Sequence, residues 1–416
     1  MDRVSELLYR MGENVTRPLF NNPDFFEKID KGSGDFSSGM SPVTTIDILH
    51  QLLIAFKLET SVTGKRLLGE EYVPRLSKKH ISVLEKFDVS RPIFPAHADG
   101  KALLGLTHDI IQSGKTLPKA AIEDFDPVEG VYLVTDPVDG TALCKNGEPD
   151  FSILLAEVKD GCVTSSWCYF PIRREMFRRL NSGASEFASF SPETGKESIL
   201  PVAGPPPRNS FSEMSIVASY AHPNLALDNV TRPIFEDSSG RRWTQAEISG
   251  RLGNTFKSIF PTNCYSGSIL LGLTRVDRSS LRQGPSLQDS MIGHVDAAFF
   301  AGGYPWDFLG PVHFMKGLPG IEARFLNGLP YLGEKDEVPV VAEADGDFLP
   351  VPWRAGEKLP GDRKVFLPYT GGLGVARGDV WDSLNDELTV MRHPLGRNVL
   401  KATVRNGPTL PIECRL

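Results

Sequence analysis

Gly-Val-Tyr-Leu-Val-Thr-Asp-Pro-Val-Asp-Gly-Thr-Ala-Leu, residues 130–143, is the stretch on which the reading of this chain turns. Val131–Val134 is short, apolar and β-branched, the pattern of a buried strand. It runs into Asp136, a break at Pro137, and then Asp139-Gly140-Thr141. Two carboxylates and the carbonyl of Val138 are thereby packed into one tight turn. Oxygen-only ligands suit a hard divalent cation such as Mg²⁺. Gly140 lets the backbone bend close to a ligand, and the amides after it can point at an anion.

The run resembles the Asp-Pro-Ile-Asp-Gly-Thr signature of the inositol monophosphatase superfamily. These are metal-dependent, often lithium-sensitive phosphatases that include fructose bisphosphatases and phosphoadenosine phosphate phosphatases. The haloacid dehalogenase phosphatases carry Asp-x-Asp-Gly-Thr instead, with the aspartates two apart. Asp136 and Asp139 are three apart, which argues against an aspartyl-phosphate mechanism. The resemblance covers roughly residues 95–390, with gaps. It implies an α+β or α/β chain folded as a layered αβαβα sandwich of the inositol monophosphatase/fructose bisphosphatase type.

Bulk properties agree with a soluble enzyme. At 416 residues the chain is long for one core. We expect an N-terminal arm with helices over 1–94, a metal-binding α+β subdomain over 95–212, and an α/β subdomain over 213–416. The net charge is −7, which disfavours nucleic acid and acidic membranes as partners. The five cysteines include no Cys-x-x-Cys pair, so a reducing compartment is the simpler reading. No signal segment or membrane-length apolar run is evident, so cytoplasm is the default.

Along the chain, residues 13–42 read as an irregular arm. Helical spacing marks Thr45–Glu59, Lys78–Phe87 and Gly100–Ser113. After the signature, strands are expected at Phe151–Val158, Cys162–Phe170 and Glu175–Leu180, with turns at Lys159–Gly161 and Pro171–Arg174. Ser191–Arg208, rich in Pro, Gly and Ser, reads as a surface loop. Further strands are expected at Met214–Tyr220, His294–Phe300 and Gly372–Arg377, and the polar stretch Thr274–His294 as an insertion.

Companion motifs extend the resemblance. Trp306-Asp307 matches the family's Trp-Asp at a helix start, which implies Asp307 as a further metal ligand. Its helix, Phe308–Met315, tolerates Gly310-Pro311 if Pro311 lies in the first turn. Trp381-Asp382 is a second such pair, whose aspartate we read as a helix cap. The family also places an acidic residue at the end of an earlier strand. Gly69-Glu70-Glu71 carries the family's letters but follows a helical stretch, whereas Ala120-Ala121-Ile122-Glu123 reads as a strand closing on an acid. Glu123 is therefore expected to be the bridging ligand. An aspartate that orients the Thr141 hydroxyl is also implied, with Asp99 as first candidate and Asp47 as second. Ser219, His222 and Ser268 are candidates for substrate contacts, alongside Asp139, Gly140 and Thr141.

The resemblance thus implies metal ligands Glu123, Asp136, Val138, Asp139 and Asp307 around two or three Mg²⁺ ions, with Mn²⁺ as a substitute. Glu123, Thr141 and Asp99 would carry catalysis by a metal-activated water. The partner is a small phosphorylated metabolite. Inositol monophosphatases bind a sugar hydroxyl through a glutamate before Trp-Asp. The matching position is Phe300, which argues against myo-inositol monophosphate and leaves a nucleotide 3′-phosphate or a sugar or amino-alcohol phosphate. Segments beyond the usual family length could cover the site or build a homodimer. The contrary class is a binding module that kept the fold and lost catalysis. The intact set Asp136, Asp139, Thr141 and Asp307 argues against it.

Overall fold

The structure is a computed structural model. It describes residues 1–17, 20, 46–47, 49–51, 53–54, 66–69, 131–159, 162–208, 210–219, 233–236, 242–244, 258–261, 266–277, 294–300, 305–325, 357–359, 363–365 and 373–380. The expected helices Lys78–Phe87 and Gly100–Ser113 and the Trp381-Asp382 pair lie outside these residues. Among the described residues no helix is long and apolar enough to cross a membrane.

A seven-stranded sheet holds β1 (Arg66–Gly69), β2 (Val131–Asp139), β3 (Ser152–Lys159), β4 (Cys162–Phe170), β5 (Glu175–Arg179), β6 (Ser185–Phe190) and β7 (Glu197–Leu200) in sequential order. β1 and β2 are parallel and every other neighbour is antiparallel. From β3 onward the turns are short, so each strand falls beside the one before it. Two expectations are corrected. Ser191–Arg208 is not all loop, because it contains β7 and the short strand Val202–Ala203. Their alternating pattern is too brief to stand out among the prolines. The irregular arm expected over 13–42 is not irregular at its start, residues 13–17. Asp2 accepts from the amides of Val4 and Ser5 at 3.0 Å and caps helix α1 (Arg3–Met11), which runs on into a π-turn at Gly12–Thr16.

Period-two alternation sorts the sheet's side chains onto two faces. Ile153, Leu155, Trp167, Tyr169 and Met176 pack against Leu8, Met11, Ile46, Leu49 and Leu53 from the N-terminal helices. Leu154, Ala156, Cys168, Phe170 and Phe177 pack on the other side with helices α3 (Ser266–Leu273) and α4 (Pro305–Lys316), through Leu270, Leu309, Val312 and Phe314. Beyond those helices lies a second sheet. Its strands are β8 (Ser215–Ser219), β9 (Ser258–Pro261), β10 (Ala297–Phe300), β11 (Ile321–Phe325) and β12 (Leu373–Arg377), in the order β9-β8-β10-β12-β11. Four layers of the expected five, α-β-α-β, are therefore described. An outer helical layer would fall outside the described residues.

Pro311 corrects another expectation. It lies in the interior of α4 and not in its first turn, so no amide proton is available there for the carbonyl of Asp307. In the same helix, buried His313 faces Ser166 Oγ at 2.9 Å through Nδ1, while its buried Nε2 meets no partner among the described residues. Burial first, then nearby Arg179 and Lys316, lower its pKa to about 3. The unfolded chain takes up this proton near pH 6.5, which the folded chain resists until far lower pH. Stability should thus be complete above pH 6.5 and fall as pH drops toward 3, by roughly 1.4 kcal/mol per unit of pKa difference at most. Thermal melts across this range should show a shallower fall in His313→Gln. An unchanged profile would contradict the assignment.

Candidate active site

The signature turn sits at the end of β2, and an irregularity in the sheet gives it its shape. Asp136 pairs with Leu154 and Asp139 with Ser152, so three steps along β2 match two along β3. In a regular strand, residues three apart face opposite sides. The extra residue of this bulge cancels one alternation and turns Asp136 and Asp139 to the same side of the sheet. That side is the one covered by α3 and α4. Both carboxylates are buried, each at 3% exposure.

Local bonds fix each group. The Val138 amide donates to Asp136 Oδ1 at 2.9 Å, which closes the turn on its own carboxylate. Asp139 Oδ2 accepts from Ser152 Oγ at 3.2 Å and from the Gly267 amide, in the first turn of α3, at 2.6 Å. A Cβ at Gly267 would stand 2.0 Å from Ser152 Oγ and 3.0 Å from Asp139 Oδ2, so only glycine permits this approach. Gly140 adopts φ 86°, a conformation that L side chains strain to reach, and starts the short helix α2 (Thr141–Lys145).

The Thr141 hydroxyl has two acceptors, the carbonyl of Val138 at 3.1 Å and Asp47 Oδ1 at 3.0 Å. Asp47 is fully buried in the helical stretch that packs under the sheet. This revises the order of candidates for orienting Thr141. Asp47, placed second by sequence, is the residue in contact, and Asp99 lies outside the described residues. One turn further along the same stretch, His50 brings Nδ1 to 3.0 Å from the carbonyl of Pro137 and Nε2 to 2.9 Å from Thr16 Oγ1. Burial lowers the His50 pKa to about 4, so the ring is neutral at ordinary pH.

The choice between the two strand-end acids rests partly on local structure. The expected helical run-in to Gly69-Glu70-Glu71 is strand β1, parallel to β2. Gly69 lies opposite Thr135, the residue before Asp136, and Glu70 is next in sequence. One reason for preferring Glu123, the helical run-in to Glu70, is therefore removed. Glu70, Glu71, Glu123 and His222 themselves lie outside the described residues. Ser219 closes β8, opposite Phe300, and Ser268 follows Gly267 in α3. Asp307 stands in the first turn of α4, a helix that packs on β2, β3 and β4.

Asp136, Asp139 and the Val138 carbonyl present only oxygen donors, and buried like charges repel unless neutralised. Those donors fit a hard cation. Among the described residues, however, no three His, Cys, Asp or Glu side chains form a group able to hold a metal. A complete shell needs acids from beyond them. Sequence reasoning missed two contributors, Ser152 and His50. The last had a faint signal, because Asp47 and His50 interrupt an otherwise apolar helical face.

No protein-family model matches the chain, and no curated protein matches it in sequence. It is similar to solved structures at low identity. An IMPase of Thermotoga maritima is 14% identical over 97% of this chain and 100% of that one, with a TM-score of 0.49. Inositol monophosphatase II of Staphylococcus aureus is 13% identical over 94% and 95%, with a TM-score of 0.48. The extragenic suppressor protein suhB of Bartonella henselae is 11% identical over 92% and 96%, with a TM-score of 0.48.

Proposed function

We propose that this chain is a Mg²⁺-dependent phosphatase of the inositol monophosphatase type that hydrolyses a small phosphate monoester. One observation carries the reading. The signature turn buries Asp136 and Asp139 on one side of the sheet while Asp47 holds the hydroxyl of Thr141 beside them. Asp136, Asp139, the Val138 carbonyl and Asp307 would hold the cations, together with an acid from outside the described residues. The parallel register of β1 with β2 favours Glu70 over Glu123 for that place. Bound Mg²⁺ would neutralise the carboxylates and lower the pKa of a coordinated water.

The chain's own residues supply orientation. With its proton directed toward Asp47, the Thr141 oxygen keeps its lone pairs for a water O–H. Gly267 and Ser152 fix the carboxylate of Asp139, so its geometry is set before substrate arrives. The amides of Gly140 and Thr141 would receive the phosphate, and Ser219, His222 and Ser268 would contact the rest of the substrate. Phe300 disfavours a polyol at its position. A nucleotide 3′-phosphate, or a sugar or amino-alcohol phosphate, fits better.

Phosphate release from a panel of such monoesters, with and without Mg²⁺, tests this directly. We expect Mg²⁺-dependent hydrolysis of at least one member. Glu70→Gln should depress it about a hundredfold or more while Glu123→Gln stays near wild type, because losing a ligand removes several kcal/mol of charge stabilisation. No Mg²⁺-dependent turnover across the panel would overturn the reading and leave a binding module.

A further inference from the structure

We propose that His50 is a positioning residue for the carboxylate turn, acting through the carbonyl of Pro137. This rests on the reading that the turn binds a divalent cation. The His50 ring is wholly buried between two partners, the Pro137 carbonyl at 3.0 Å from Nδ1 and Thr16 Oγ1 at 2.9 Å from Nε2. A carbonyl can only accept, so Nδ1 must carry the ring proton. Nε2 then presents a lone pair and accepts from the Thr16 hydroxyl. The two contacts fix the tautomer and the plane of the ring.

The consequence reaches Asp136 through one rigid unit. The carbonyl of Pro137 and the amide of Val138 belong to the same planar peptide group. That amide donates to Asp136 Oδ1 at 2.9 Å. The Thr16 hydroxyl, the His50 ring, the 137–138 peptide and the Asp136 carboxylate therefore form a continuous relay of donors and acceptors. Each bond polarises the next in the same sense. Pro137 has no amide proton, so the tilt of this peptide plane rests on what its carbonyl and the Val138 amide meet, His50 on one side and Asp136 on the other. The π-turn at Gly12–Thr16 carries Thr16, and so connects the N-terminal helix to the turn. The helical stretch that gives Asp47 to Thr141 gives His50 to Pro137, and it grips the turn at two points.

The test is Mn²⁺ titration of the full chain followed by electron paramagnetic resonance, without substrate, with a thermal melt of every variant. Wild type should bind Mn²⁺. His50→Leu, which fills the space and loses both bonds, should bind about 10- to 100-fold more weakly, as expected when a residue supporting a ligand is lost. His50→Asn places an amide donor near the position of Nδ1 and should recover most of that affinity, whereas His50→Gln should not. At saturating Mg²⁺, turnover of His50→Leu should rise toward wild type while its half-saturating Mg²⁺ concentration stays high. A purely structural role would not produce that split. If wild type binds Mn²⁺ and His50→Leu binds it equally well, the role of His50 is overturned while the cation site stands. If wild type binds none, the cation site falls and the role of His50 falls with it. If His50→Leu does not fold, the Asn and Gln variants decide: tighter binding by Asn supports the role, and equal binding overturns it.

Discussion

Asp139→Asn is expected to lower phosphate release about a thousandfold with little change in melting temperature, since several kcal/mol of charge stabilisation are lost at the reacting centre. The fold should survive because Asn keeps a carbonyl oxygen where Asp139 Oδ2 accepts from Gly267 and Ser152. Only the negative charge goes, and a buried charge contributes little to stability by itself. Asp139→Ala serves as the contrast. It removes the acceptor, strands the Gly267 amide and Ser152 hydroxyl, and should also cost about 1–3 kcal/mol of stability. Mn²⁺ affinity and turnover should fall together in both variants. An Asn variant with near-normal turnover and unchanged Mg²⁺ dependence would remove Asp139 from the site.

Asp47→Asn should reduce turnover by about 10²–10⁴-fold, the usual scale for a group that sets proton position in the transition state. The Asn amide can turn its NH₂ toward Thr141, and the hydroxyl would then give its proton to the Val138 carbonyl at 3.1 Å. The Thr141 oxygen would be oriented for the wrong partner. Cation affinity should change little, since Asp47 meets the hydroxyl and is not among the proposed ligands. Asp99→Asn should leave turnover within a few-fold of wild type. The reverse pattern, with Asp99→Asn inactive and Asp47→Asn active, would restore the order of candidates that sequence gave.

Much of this architecture is legible in the chain itself. Strands β3, β4 and β5 and the strand part of helix-flanked β10 follow from alternating apolar residues and short Gly- or Pro-containing turns, which are local signals. The signature turn is legible for the same reason. Asp136, Pro137, Asp139, Gly140 and Thr141 are neighbours in sequence, so their chemistry needs no distant partner to be read. Helix α1 and β7 were less visible because they are short and polar on one face, and their stability comes from packing and not from propensity. The 66–69 segment was misread for a related reason. Four residues hold too little periodicity to separate strand from helix, and only pairing with β2 decides between them.

By itself, then, the sequence determined the donor chemistry: oxygen ligands in a glycine-punctuated turn, with a hydroxyl beside them. The tertiary structure alone decided which groups meet. The β2 bulge turned Asp136 and Asp139 to one side, Asp47 crossed 94 positions to reach Thr141, and Gly267 came from 128 positions away to fix Asp139. The physical reason is that side-chain type is written locally, whereas proximity depends on sheet register and helix packing. Those are set by burying apolar faces far apart in the chain.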